Sequence, residues 1–220
     1  MVPVISPYFF SNHWFSALEF FELPNNNSDI QNQYLVKILD AWNADDRYYH
    51  NLEHLADMLI KIDENIDNAQ QKAIYVLAAF FHDYIYIPEN KDNEEVSANM
   101  AESVLKLLHL PEADIDAIKK IILATRHSSD SSGFSALESA FIDIDLSILA
   151  AEPDKYQEYI QKIRKEYIHI PDHLFKMGRK AFLESMLLRD TFFISAIFAD
   201  TDMETKARNN ISTELKNIMI

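Results

Sequence analysis

The chain has 220 residues, a length that can bury a full core as one domain without staples. It has no cysteine, which excludes disulfides, iron–sulfur clusters and thiolate zinc sites. A net charge of −15, from 20 basic and 35 acidic residues with no Lys/Arg run, argues against duplex nucleic acid as a partner.

Only two glycines occur, Gly133 and Gly178. Gly-rich phosphate loops and the turns of a sheet protein need more. The chain is also rich in helix formers, so the expected fold class is all-α. MVPVISPYFFSNHWF lacks a basic region ahead of its apolar residues and does not read as a signal peptide. Runs such as YVLAAFF are too short to span a membrane. The expectation is a soluble, cytoplasmic protein with no membrane partner.

In chain order, NHWFSALEFFEL reads as a short helix ended by Pro24 and the Asn25–Asn27 run. SDIQNQYLVKILDAW opens at a Ser/Asp cap, and a third helix is expected from about His50 to Ile66. QQKAIYVLAAFFHDYIY is apolar on all sides, the mark of a buried central helix. Asp92 is placed to cap NEEVSANMAESVLKLLHL, with Glu95 as capping-box partner. Pro111 opens EADIDAIKKIILATRH, and SSDSSG is a loop. Helices follow from about Phe134 to Ala150, Pro153 to Ile168, Pro171 to Leu188 and Thr201 to the end. Gly178 falls inside a helical pattern, where it is expected to mark a close helix contact. No repeat or domain-splitting linker is visible.

Chemistry concentrates in three places. In RYYHNLEHLADML, Leu52, Leu55, Leu59 and Ile62 form an apolar stripe. His50, His54, Asp57 and Lys61 share a different face, from which two imidazoles can look into a cleft. Spacing alone does not separate ligands from surface histidines. His169 and His173 are also four apart, with Pro171 between them. Second, His82-Asp83 ends the all-apolar helix. Burial there costs several kcal/mol unless both groups are paired or bound to a cation, so a metal ion or a local hydrogen-bonded pair accounts for them. Third, in FIDIDLSILA the two acids point about 200° apart on a helix, so at most one serves a given site. Asp145 falls among Phe141, Ile142, Ile148 and Leu149, whereas Asp143 lies on the side of Ser139 and Ser147. Asp145 is therefore the expected ligand.

H…HD…D in a glycine-poor, all-helical chain resembles the HD-domain superfamily of metal-dependent phosphohydrolases. Tyr49-His50-Asn51-x-x-His54-x-Ala56-Asp57 is similar to the YHNxxHxAD segment of the cyclic-nucleotide phosphodiesterases. NEEVSA and IRKEY resemble segments of small bacterial HD proteins of predicted phosphohydrolase type. The likeness runs roughly from Tyr48 to the last helix. It implies an HD-like helical bundle with additional N- and C-terminal helices. In that reading residues 1–220 form a single domain, with a metal core at approximately 47–150 and C-terminal helices at 151–220 packed on it.

Carried over by position, the resemblance makes His54, His82, Asp83 and Asp145 the metal ligands and His50 the general acid. Cyclic-nucleotide hydrolysis is not implied, because the chain lacks the phosphodiesterases' length and much of their nucleotide pocket. Glu94, in NEEVSA, is a candidate for positioning the attacking water, or a first-turn helix acid. His127 is a candidate for a second metal or for substrate, or a cation at a helix C-terminus. Arg47 and Arg164 are candidates for holding substrate phosphate through the guanidinium fork, or surface ion-pair partners. Imidazole and carboxylate ligands suit Mn, Fe, Co, Ni or Zn, and Mg less well, with one or two ions per chain. The implied activity is hydrolysis of a small phosphate ester, a nucleotide or related metabolite. The rival readings are an HD-type diiron oxygenase and a non-catalytic helical module stabilised by its metal.

Overall fold

The structure, a computed structural model, describes residues 6–23, 27–126, 133–198 and 201–218. Ten α-helices and two short 3-10 helices occur among the described residues, with no strand. The all-α expectation holds, and the I-D-I-D alternation is helical. The chain divides into two compact units, Met1–Arg126 and His127–Ile220. Among the described residues no helix is long and apolar enough to cross a membrane.

The first unit contains α1 (Pro7–Phe20), α2 (Ser28–Trp42), α3 (Leu52–Asn65), α4 (Ala69–Phe81), α5 (Asn93–Leu107) and α6 (Glu112–Ala124). As its all-round apolar sequence requires, α4 is central: Ala73 through Phe81 are all buried. Helices α1, α3, α5 and α6 pack against it. Trp14 of α1 meets Phe80 edge-on at 5.3 Å, an arrangement favoured by the ring quadrupoles.

Four local expectations fail for identifiable reasons. The third helix begins at Leu52 rather than His50, because the Asn51 side chain accepts from the Glu53 amide at 2.9 Å and acts as N-cap. The fourth stops at Phe81 instead of Tyr86, since its last carbonyls are taken by side-chain donors described below. Asp92 makes no side-chain cap; its supposed partner Glu95 reaches out to Arg126 at 3.1 Å. Gly178 marks no close approach, because a Cβ built there meets nothing within 4 Å.

Helices α5 and α6 form a hairpin whose turn is a Schellman motif: His109 N–H donates to Lys106 O and Leu110 N–H to Leu105 O, each at 3.0 Å. His109 takes the left-handed position with φ 66°, where glycine is usual. The chain thus carries a side chain where glycine is favoured, and a glycine, Gly178, in an exposed helix interior. His109→Gly should stabilise by about 1 kcal/mol and Gly178→Ala by roughly 0.5–1 kcal/mol. Urea denaturation checks both, and a loss of stability in either variant contradicts these local geometries.

The second unit contains α7 (Ala136–Asp145), a 3-10 helix at Leu146–Ala150, α8 (Pro153–Glu166), α9 (Asp172–Leu187), a 3-10 turn at Ala196–Phe198 and α10 (Met203–Ile218). A capping box opens α7: Glu138 N–H donates to Ser135 Oγ, and the Ser135 amide donates to the Glu138 carboxylate at 2.8 Å. Asn210 of α10 donates to the carbonyls of Leu149 and Ala151 at 2.9 and 2.8 Å, fastening α10 to the Leu146–Ala150 turn.

Candidate metal centre

The C-terminus of α4 is built by satisfying its open carbonyls. Ala78 O accepts from the His82 amide at 2.8 Å and Phe81 O from the Tyr84 amide at 3.0 Å. Ala79 O accepts from His82 Nδ1 at 2.9 Å, and Phe80 O from Trp42 Nε1 at 2.9 Å. Beyond the helix, Arg47 donates from Nη1 to Asp83 O at 2.7 Å and from Nη2 to Tyr84 O at 2.9 Å. The two residues of chemical interest, His82 and Asp83, are therefore part of a helix stop. They sit at the negative end of the helix dipole, which favours a cation.

The bond to Ala79 fixes the state of the His82 ring. A carbonyl only accepts, so Nδ1 carries the hydrogen, and in the neutral ring Nε2 presents its lone pair. That Nε2 lies 3.2 Å from Asp83 Oδ2. Two acceptors this close need a proton or a cation between them. Ligands on a tetrahedral ion with bonds of about 2.1 Å stand about 3.4 Å apart, close to the observed spacing.

His54, in the first turn of α3, joins the pair. His54, His82 and Asp83 each offer a ligand atom, and these atoms all lie within 4.8 Å of one another. His54 is buried, 6 % exposed, against the expectation that it looks outward from the apolar stripe. It faces the aromatic interior: its ring lies 5.4 Å from His82, 5.0 Å from Tyr49 and 6.1 Å from Trp42. Two imidazoles and one carboxylate, walled by aromatic rings, fit a borderline divalent transition ion.

His50 is not on α3 beside His54, as helical spacing suggested, but in the turn ahead of it. It is half-buried there, its ring stacked on Tyr86 at 4.0 Å and edge-on to His54 at 5.9 Å. The segment after Asp83 is held by α5. The Ile85 amide donates to Ser97 Oγ at 3.0 Å, and the Ile87 amide donates to Asn93 Oδ1 at 3.1 Å. Asn93 Nδ2 donates back to Ile87 O at 2.8 Å. Asn93 and Ser97, the first and fifth residues of NEEVSA, thus do structural work that the sequence reading missed. Their signal was present: two small polar residues four apart on a helix face. Trp42, Tyr49 and Tyr86 were missed because aromatic residues in an aromatic-rich chain read as core.

The other candidates have the following surroundings. Glu94 lies in the first turn of α5, 3.7 Å from Arg126 Nε. Arg47 is engaged with main-chain carbonyls. Asp145 and Arg164 belong to the second unit. Arg164 donates to the carbonyls of Tyr167 and Ile170 at 2.6 and 3.2 Å, capping α8, with Asp172 3.4 Å from its Nε. The relative burial of the two α7 acids is the reverse of that expected: Asp143 is fully buried and Asp145 half-exposed. The Asp143 carboxylate accepts from the amides of Ile194 and Ser195 at 3.0 and 2.7 Å and from Ser195 Oγ at 2.5 Å. Burial raises its pKa, and those donors oppose the rise. Asp143 is an anchor for the 194–195 segment. His127 lies outside the described residues.

No protein-family model matches the chain, and no curated protein matches it.

Proposed function

We propose that the first unit carries a divalent metal ion on His54, His82 and Asp83 and hydrolyses a small phosphate ester in the manner of HD-type phosphohydrolases. The observation that carries this reading is the 3.2 Å approach of His82 Nε2 to Asp83 Oδ2, with Nδ1 tied to Ala79 and His54 alongside. The resemblance of the YHNxxH and HD segments supports the same reaction class. When bound, the ion supplies Lewis acidity toward phosphoryl oxygens and water.

The chain's own residues supply the rest. Ala79 fixes the tautomer of His82, and the rings of Trp42 and Tyr49 shield the imidazoles from bulk water. His50, wedged between Tyr86 and His54, gives a proton to the departing oxygen. Imidazole is the side chain most often used for such proton transfer.

Elemental analysis of protein purified without chelator, paired with phosphate release from a panel of phosphomonoesters and diesters, tests the proposal. We expect divalent metal to copurify and at least one ester to turn over. His50→Gln should keep the metal and lower kcat by about 10²–10⁴-fold. Metal-loaded protein that cleaves no ester removes the hydrolase reading. Two irons per chain with a redox-sensitive absorption band would instead favour the oxygenase. Loss of folding on metal removal, with no turnover beforehand, would favour the binding module.

A further inference from the structure

Arg47, in the segment ahead of α3, reaches into the candidate centre. Its Nη1 donates to the carbonyl of Asp83 at 2.7 Å and, at 3.4 Å, to that of His50, while Nη2 takes Tyr84 O at 2.9 Å. One guanidinium therefore connects the main chain of the proposed proton donor with that of a proposed ligand, the latter 36 positions from Arg47 itself. The same group lies 5.5 Å from the centroid of the Trp42 ring and 5.8 Å from that of Tyr86. Trp42 in turn packs on His82 at 5.3 Å, and Tyr86 stacks on His50.

We propose that Arg47 is a positioning residue, which sets the spacing between His50 and Asp83, and that it is not a phosphate contact. A planar fork can span carbonyls on two segments with fixed angles; a lysine ammonium is a point donor on a flexible stem and cannot. Ser97 and Asn93 continue the same fastening at Ile85 and Ile87, so the stretch that carries Asp83 is pinned from both sides. The functional consequence rests on the metal-centre reading above. The geometric part does not.

The test uses the full chain with Arg47→Lys and Arg47→Ala. The readouts are Co²⁺ affinity from its visible absorption, steady-state cleavage of p-nitrophenyl phosphate and bis(p-nitrophenyl) phosphate, and amide hydrogen exchange of Tyr84–Ile87 without metal. Both variants should exchange faster in that segment and bind Co²⁺ roughly 10–100-fold more weakly, as removal of an outer supporting partner does. In both, kcat should fall with KM within about twofold. Added guanidinium ion should restore part of the activity of Arg47→Ala. Should the alanine variant not fold, the lysine variant carries the comparison.

Arg47→Lys with wild-type exchange and Co²⁺ affinity, and only a raised KM, would overturn the proposal and make Arg47 the phosphate clamp expected from sequence. If the wild-type chain binds no Co²⁺ and cleaves neither ester, the functional reading fails. Exchange then decides the role of Arg47 alone: faster exchange in the variants upholds it, and unchanged exchange rejects it.

Discussion

On the proposed metal-centre reading, Asp83→Ala should strip the divalent ion from the protein and abolish phosphate-ester hydrolysis, while leaving the metal-free fold nearly as stable as before. The substitution keeps Cβ and removes only the carboxylate, so little apolar packing is lost, on the order of 1 kcal/mol or less. His82→Ala should lose the ion equally. It also removes a ring that is 1 % exposed and packed on Trp42, and it leaves Ala79 O without its donor. That adds about 2–4 kcal/mol of destabilisation. The metal-linked part is separable by titration. An ion that binds only the folded chain, at a hundred times its Kd, stabilises it by about 2.7 kcal/mol. For a chain of this size that corresponds to a rise in Tm of roughly 5–10 °C. Wild-type protein should show this rise on adding Mn²⁺, Co²⁺ or Zn²⁺, and neither variant should. An Asp83→Ala protein that keeps both its metal content and its thermal shift would refute the assigned ligand set.

The second large effect belongs to the other unit and concerns stability alone. Arg179 of α9 and Glu214 of α10 form a two-pronged ion pair, Nε to Oε1 at 2.7 Å and Nη2 to Oε2 at 3.1 Å. Their side chains are 8 % and 3 % exposed. Tyr156 donates to Glu214 at 2.6 Å, and Arg179 Nη1 donates to the Tyr159 hydroxyl at 3.2 Å. Burial and the adjacent Glu214 charge push the Tyr156 pKa far up, so the phenol remains a donor. Glu214→Ala leaves a guanidinium buried without its counter-charge and should cost about 3–5 kcal/mol. In the transition that unfolds this unit, the loss of Tm should be on the order of 10 °C. Replacing both partners, Arg179→Met with Glu214→Leu, should recover most of that loss, because the desolvation penalty disappears with the charges. A cost under about 1 kcal/mol for Glu214→Ala would mean that the pair is solvated.

Much of the candidate site was legible residue by residue. His54, His82 and Asp83 were named from an HD pair ending an apolar helix and from the YHNxxH likeness, and the structure groups all three. Their surroundings were not legible. Helical spacing put His50 and His54 on one outward face. In the fold, Asn51 caps α3 and leaves His50 in a turn, and His54 is buried. A pattern count treats every residue of a window as helical, whereas a single side-chain acceptor at the right position sets where the helix begins. The burial of the two α7 acids was reversed for a related reason. Ser139 and Ser147 made Asp143 look solvated, yet all three are buried. The donors that hold Asp143, at Ile194 and Ser195, lie some fifty positions away.

By itself the sequence determined that this is a helical protein without disulfides, where most helices run, and which residue types with metal chemistry it contains. These follow from local quantities: glycine scarcity, 3.6-residue periodicity and proline placement. The tertiary structure alone decided that His54 meets His82 and Asp83 across two helices, that Trp42 and Arg47 close the end of α4, and that Asn93 and Ser97 hold the segment beyond it. Each of these depends on side chains far apart in sequence that satisfy one another's hydrogen bonds once α3, α4 and α5 are packed. Periodicity reports which face a residue takes, but not what waits on the other side of it.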